Sequence, residues 1–320
     1  MVGKLTRDDQ ASASMLPSIM GINKYATPND ALMRAIGAIQ GREREDFKNE
    51  AMGWGDTFEA IILKQAALRL GLDNLDISHD QPFTHRDLPL SCSLDGTAYG
   101  RGLRVTTDQE RGIFVMGQDE IILDGMGVLE AKLTAADVED SPPLWRGPVQ
   151  LQAQMDIMEA KWGAVCTLYR GVTLRIYLFA PHDGTLAAIR AAVLDFDRRL
   201  HAYRQDGVIE YYPPADSADA NRAWPAANEE SEPLWLPAAD EALVSELQIE
   251  KDKIKAAEKK IDEIEKSIKE KMKDHPSAIA GKYEVRWPMR YYKAQPSKIV
   301  PATEARAVRQ STLTIKERKV

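Results

Sequence analysis

Between Cys92 and Lys132 the chain carries Asp95, within Ser93-Leu94-Asp95-Gly96, and then Glu130-Ala131-Lys132 at the close of Gly127-Val128-Leu129-Glu130-Ala131-Lys132. Successive side chains on a strand point to opposite faces, so Glu130 and Lys132 share one face and Ala131 takes the other. With Asp95 at the end of a neighbouring strand, two carboxylates and an ammonium converge on one point. Carboxylate oxygens suit a hard cation such as Mg²⁺, which keeps several waters and takes one or two carboxylates together with substrate phosphate oxygens. The lysine would hold or help activate an attacking water. The triplet alone has a plainer reading, a Glu and a Lys on the solvent face of a half-buried strand, so the surrounding chain decides.

Several elements must position these residues. Ser12 or Ser14 can cap a short helix that ends at Gly21. A second helix starts near Pro28, buries Ala31, Leu32, Ala35, Ile36 and Ile39, and stops at Gly41. A third, from about Asn49 to Leu70, has Phe58, Ile61, Ile62, Ala66, Leu68 and Leu70 at helical spacing, with Glu59 beside that apolar stripe. Gly53-Trp54-Gly55 one turn earlier suggests close approach to another element, because mid-helix glycine costs about 1 kcal/mol relative to alanine. Residues 82–132 read as strands, among them Ile113–Met116 and Glu120–Leu123, with a charged loop over Gly100–Gly112 and a turn at Gly125-Met126-Gly127. After an irregular crossing around Trp145, a helix runs from about Val149 to Ala160 and carries Gln150 and Gln154. Ala164–Tyr169 and Thr173–Ala180 form a hairpin across Arg170-Gly171, and Gly184–His201 is an amphipathic helix.

The remainder differs in kind. Tyr211 to Pro237 is rich in Pro, Ala, Asp, Asn and Glu and reads as a linker. Beyond it Leu247, Ile254, Ala257, Ile261, Ile264 and Ile268 follow an alternating three–four spacing broken by Glu250, a coiled-coil or helical-hairpin pattern. Either a helix folding back on its own domain or intermolecular pairing satisfies it. Short strands are expected at Tyr283–Trp287 and Ser311–Ile315.

Composition bounds the rest. Of 320 residues 44% are hydrophobic and 28% charged, which describes a soluble chain with a real core. Two cysteines make no disulfide framework, and no metal-ligand spacing links them to the five histidines. Met1 to Gln10 lacks an apolar core, and no run of 18 apolar residues exists, so neither a secretory signal nor a membrane span is expected and the location expected is cytoplasmic. The net charge of −7 hides an asymmetry: residues 276–320 carry ten Lys and Arg against three Glu, a local +7, leaving −14 on the first 275. A basic tail on an acidic body is either a DNA- or partner-contacting segment or an ordinary solvated surface.

With these pieces placed, the first 210 residues resemble the phage lambda exonuclease (YqaJ-type viral recombinase) family of PD-(D/E)xK nucleases. Five motifs occur in the family's order. Arg7 and Ser14 match its early Arg and Ser, with Gly21 following; Trp54-Gly55-Asp56-Thr57-Phe58-Glu59 matches its helical pattern; Ser93-Leu94-Asp95-Gly96 and Glu130-Ala131-Lys132 match its acidic turn and Glu-x-Lys; and Gln150 precedes Met155 by the expected five. The resemblance implies an α+β fold with an α/β core, a restriction-endonuclease-like central mixed sheet flanked by helices, followed by a long coiled-coil-like helix and a small basic C-terminal β segment. The domains expected are a nuclease domain over 1–210, a Pro/Ala/acidic linker over 211–238, a coiled-coil segment over 239–275 and a basic segment over 276–320.

By the same resemblance, Asp95 and Glu130 would bind Mg²⁺ (with Mn²⁺ a substitute), the Ala131 carbonyl would be a third ligand, and Glu59 would support a second metal or its water. Lys132 would position the nucleophile, Gln150 would orient it, and Arg7 and Ser14 would hold a phosphate. The activity implied is a metal-dependent DNA exonuclease of phage-type recombination, resecting double-stranded DNA 5′–3′ for a single-strand annealing partner, with a homo-oligomer among the expected states. Two departures stand out: Leu94 replaces the usual Pro, and Val138 stands where a basic residue follows the motif lysine by six positions. The second weakens the expected 5′-phosphate anchor and keeps open a nicking or structure-specific endonuclease. A non-catalytic DNA-binding or assembly protein is the remaining alternative.

Overall fold

A computed structural model describes residues 6–42, 50–227 and 230–289 of the chain, which divides into two units, 1–223 and 224–320. In the first unit β1 (Ala11–Ser12) leads through a 3₁₀ turn (Ala13–Met15) into α1 (Leu16–Ile19), α2 (Pro28–Ile39) and α3 (Glu50–Leu70). Then come β2 (Leu75–Asp76), β3 (Phe83–Thr84), β4 (Leu90–Cys92), β5 (Gly96–Thr106), β6 (Ile113–Val115) and β7 (Glu120–Thr134). The unit continues with α4 (Pro148–Ile157), β8 (Gly163–Tyr169), β9 (Thr173–Phe179), α5 (Asp183–Asp206) and α6 (Ser217–Ala223). The second unit holds α7 (Asp240–Met272), β10 (Ser277–Ala280) and β11 (Tyr283–Arg286).

The first unit is built on a six-stranded sheet in the order β2-β5-β7-β8-β9-β6. It is mixed, because β7 pairs with β8 in parallel while β5–β7 and β8–β9 are antiparallel. Alternation along the central strands decides which layer each residue joins. Leu129, Ala164, Cys166, Ile176 and Leu178 pack with Ile62, Leu63, Ala66 and Leu70 of α3 on one face. Val128, Val165, Tyr169 and Tyr177 pack on the other with the cluster that includes Leu16, Leu32, Leu151, Ile189, Val193, Phe196 and Leu200, from α1, α2, α4 and α5. Each large apolar side chain so buried stabilises by about 1.5–3 kcal/mol before entropy is counted. The arrangement is the central mixed sheet flanked by helices expected from the sequence.

Local chemistry sets the element ends. Thr27 Oγ1 accepts from the Asp30 N–H at 3.1 Å while the Asp30 carboxylate accepts from the Thr27 N–H at 2.8 Å, a reciprocal cap that starts α2 ahead of Pro28. Arg170 and Gly171 both have positive φ, the backbone needed for a two-residue turn between twisted strands, and they join β8 to β9. His182 caps α5 through its ring, and Gly207 at φ 76° closes it.

Several expectations are corrected. Neither Ser12 nor Ser14 caps the N-terminal helix through its side chain. Ile61 and Leu68 are exposed, since α3 buries Ile62, Leu63, Ala66, Ala67 and Leu70. A Cβ at Gly53 or Gly55 would meet nothing within 4 Å among the described residues, so none of the described elements approaches closely there. Gly100–Thr106 is strand, and Gly125–Gly127 lies inside the continuous β7, so β5 and β7 run together as a ribbon whose outer part is solvated. Within the stretch read as a linker, Ser217–Ala223 folds as α6 because its fully buried Asp219 accepts hydrogen bonds from Thr27 Oγ1 (2.8 Å), Asn29 Nδ2 (3.0 Å) and the Ala215 N–H (2.9 Å). The strand expected at Ser311–Ile315, and the tail from 290 onward, lie outside the described residues.

Candidate active site

Asp95 immediately precedes β5, and the β5–β7 register pairs Gly96 with Leu129. One step further along the antiparallel ladder sets Asp95 beside Glu130. An Asp95 oxygen accepts from the Ala131 backbone N–H at 2.9 Å. Glu130 lies on the face of β7 that looks toward α4 and is 1% exposed. Its carboxylate accepts from Lys132 Nζ through one oxygen and from Gln154 Nε2, at 2.7 Å, through the other. Lys132 Nζ also reaches Gln150 Oε1 at 3.3 Å. Glu59 stands one helical turn before Ile62 and Leu63 on the buried face of α3, which aims it at the same group of charges.

The electrostatics follow from that crowding. Burial first, and then the Glu130 carboxylate, hold Asp95 well above the usual carboxylate range, against the opposing pull of Lys132. Burial likewise raises Glu59, with Glu130 and Asp56 adding to it. For Lys132 burial pushes downward, but Glu130 and Asp95 outweigh it and keep the ammonium above its ordinary value. Burial pushes the nearby Cys92 thiol up to about 12, with Glu130 adding to the shift, and raises Cys166 too, so both stay protonated and unreactive at neutral pH.

A second network fixes the crossing between β7 and α4. Arg146 pairs with Glu139 at 2.7 Å, Tyr169 Oη donates to the same carboxylate at 3.2 Å, and Tyr177 Oη donates to the Glu139 carbonyl. With that loop tied to the sheet, α4 begins at Pro148 where Gln150 faces Lys132.

The carboxylates therefore meet Lys132 and Gln150 at one place on the sheet. Arg7 pairs with Asp9, and Ser14 Oγ, on the 3₁₀ turn that packs against α4 and β4, shares a hydrogen bond with Ser12 Oγ at 3.2 Å. Val138 is exposed on the loop after β7. Gln154, fully buried, holds both Glu130 and the Ser93 carbonyl (3.1 Å), a floor that the sequence signals only as a second Gln on the α4 face. Sequence reasoning also missed an exposed cluster at the rim of the crossing. Tyr25 and Trp145 meet edge to face at 5.4 Å, and Lys24 lies 4.8 and 5.0 Å from the two ring centres.

The donor set fits a hard divalent cation. It offers only oxygen side-chain ligands, and three carboxylates face one ammonium; the raised proton affinity of Asp95 and Glu59 comes first from burial and then from the Glu130 carboxylate, both of which a bound cation would offset. Among the described residues no three His, Cys, Asp or Glu side chains form a ready cation cage, because Glu130 is turned onto Lys132 and Gln154 and Asp95 onto a backbone N–H.

A mixed sheet between two helical layers, with an acidic and lysine cluster at the meeting of β5 and β7, places the chain in a mixed α/β class of site-bearing folds. The family model of the YqaJ-like viral recombinase domain matches residues 4–160. No curated protein matches the sequence. Among solved structures, an alkaline exonuclease (LHK-Exo) from Laribacter hongkongensis is similar at 17% identity and a TM-score of 0.42, over 61% of this chain and 90% of that one. A phage-related exonuclease from Haemophilus somnus 129PT is similar at 12% identity and a TM-score of 0.37, over 60% of this chain and 96% of that one. Among the described residues, no helix is long and apolar enough to cross a membrane.

Proposed function

We propose that this chain is a metal-dependent deoxyribonuclease, an exonuclease that resects duplex DNA in the 5′–3′ direction to leave single strands for an annealing partner protein. The observation that carries the reading is the convergence of Asp95, Glu130 and Lys132 under Gln150 and Gln154, within a YqaJ-like domain. Asp95 and Glu130, with the Ala131 carbonyl, would hold Mg²⁺ or Mn²⁺, and Glu59 would support a second ion or its water. Such ions supply polarisation of the scissile phosphate and stabilisation of the attacking and leaving oxygens.

The chain's own residues do the rest. Gln154 locks Glu130 in one orientation, so the carboxylate that faces the phosphate does not wander. Lys132, held between Glu130 and Gln150, presents an N–H to the attacking water, and its raised proton affinity keeps it a cation while it does so. Water adds to phosphorus, the P–O ester bond breaks, and the leaving alkoxide takes a proton from solvent. Glu59, more basic than an ordinary carboxylate, is suited to take the proton the attacking water loses. Lys24, Tyr25 and Trp145 offer a cation and aromatic faces of the kind that hold a phosphate and a stacked base. The reading places the protein in the cytoplasm of a bacterial or phage-infected cell.

A second reading, a nicking endonuclease, draws on two features of the expected end-anchor: Val138 carries no charge, and Arg7 is already paired with Asp9. Incubation with Mg²⁺ and two substrates, an end-labelled linear duplex and a closed circle, separates the readings. Loss of the linear DNA alone, slowed about 10³-fold or more by Lys132→Ala, is the expected result. Nicking of the circle would replace the exonuclease with the endonuclease, and inertness of folded protein toward both would remove the enzymatic reading.

A further inference from the structure

The second unit shows a surface that the site chemistry does not use. α7 is 33 residues long, about 50 Å of helix; Met272 at its end is buried and Leu247 and Ile268 are half-buried, but most of its apolar stripe finds no core among the described residues. Leu243, Ile254, Ile261 and Ile264 are each 50% exposed or more. With Leu247 and Ile268 they fall on a heptad seam: Leu247, Ile254, Ile261 and Ile268 take the a positions, and Leu243, Glu250, Ala257 and Ile264 the d positions.

Two independent observations say what covers this seam. The first is the packing of the β10–β11 hairpin, whose following residue Trp287 lines a depression with Asp262, Lys266, Lys269, Glu270 and Lys273. Those helix residues occupy b, c and f positions, so Trp287 takes the back of the helix, and the a/d seam from Leu243 to Ile264 is left open while Ile268 and Met272 at the end are partly covered. The second is charge. The g positions read Glu246, Lys253 and Lys260, and the e positions read Lys251, Glu258 and Glu265. In a parallel, in-register pair each g residue faces the e residue five places on in the other helix. Glu246 then meets Lys251, Lys253 meets Glu258, and Lys260 meets Glu265, so each of these three contacts joins opposite charges, while the fourth, Ser267 with Met272, is uncharged. An antiparallel pair sets g against g and, at full overlap, brings Lys253 against Lys260.

We propose that α7 pairs with α7 of a second copy of this chain as a parallel, in-register, two-stranded coiled coil. Isoleucine at three of four a positions and the small Ala257 at d suit two strands rather than a wider bundle. Between Leu243 and Ile268, Glu250 at d is the one charged core residue, and Lys253 already lies against it at 2.7 Å; Asp240 and Lys271, at the two ends, are the other charged positions of the seam.

Light scattering on the full-length protein gives the expected result as a mass of two chains. The double reversal Lys253→Glu with Lys260→Glu raises the dissociation constant at least tenfold at low salt, and adding Glu258→Lys with Glu265→Lys restores it. Ile264→Cys, treated with oxidised glutathione, forms a covalent dimer, while Lys266→Cys on the back face does not; Cys92 and Cys166 are 1% and 0% exposed and contribute little background. A wild-type mass of one chain or of three, reversals without effect, or no cross-link at position 264 would each overturn the proposal. Antiparallel helices overlapping fully would hold the two 264 positions roughly 24 Å apart, so the cross-link also decides direction.

Discussion

Two carboxylates of the first unit sit in opposite circumstances. Asp219, fully buried where α6 meets the start of α2, accepts from a hydroxyl, an amide and a backbone N–H, with Arg222 beside it. Burial pushes its pKa up, but these donors overcome it and hold the group below the usual carboxylate range. Burial pushes the pKa of Asp95 up as well, two further carboxylates add to it, and one backbone N–H and Lys132 do not overcome them, so it moves far the other way. A carboxylate given enough donors is part of the fold. One left short of positive charge, next to others equally short, is a place where a cation or a proton is expected.

The contrast can be tested at both ends. Asp219→Ala leaves Thr27, Asn29 and the Ala215 N–H without their acceptor and should cost about 3 kcal/mol, roughly 6–12 °C in melting temperature for a unit of this size, with cleavage at 25 °C unchanged. Because the folded pKa is lowered, this stability is present above the unfolded value of about 3.9 and fades as pH falls through the folded one, so the deficit shrinks in acid. A deficit below about 1 kcal/mol near neutral pH would show that α6 is not held by its carboxylate. At the other end, Mg²⁺ at about a hundred times its dissociation constant should stabilise the wild type by about 2.7 kcal/mol and leave Glu130→Gln unmoved in a melting titration. Equal shifts in both proteins would place the ion elsewhere.

The smallest effect has the least intuitive sign. With metal chelated at pH 8, Asp95→Asn should be more stable than the wild type by about 1 kcal/mol while losing cleavage. A raised folded pKa means that the folded chain takes up a proton more readily than the unfolded one, so wild-type stability falls as pH rises beyond about 4, and the variant's advantage vanishes toward pH 4. A variant less stable than the wild type at pH 8 would mean that the Ala131 N–H needs the carboxylate more than the crowded site resents it.

What the sequence made legible follows from which forces are local. Glu130 and Lys132 share a face because strand alternation is fixed by backbone geometry, and Glu59 belongs to the buried stripe of α3 because 3.6-residue periodicity is equally rigid. The role of Gln154 was not legible, since its contact to Glu130 arises only when α4 lies across β7. The outer part of β5 reads as a charged loop because a solvated ribbon leaves Arg101 and Arg104 no core to alternate against. The α6 docking was hidden for a related reason: a segment of Ser, Asp, Ala and Asn has no apolar pattern, and a single buried carboxylate does the anchoring.

Three residues before Glu130, β7 passes over the face of Trp162, and a Cβ at Gly127 would lie 2.2 Å from that ring. The indole is fully buried and its N–H reaches the Gly125 carbonyl at 3.3 Å. In evolutionary terms the two positions form a lock with one combination. A side chain at 127 is admitted only if the tryptophan shrinks, and a smaller residue at 162 opens a void beneath the strand that carries Glu130 and Lys132. Drift at either position alone is closed off, so this stretch of β7 inherits its sequence from a contact that itself performs no chemistry.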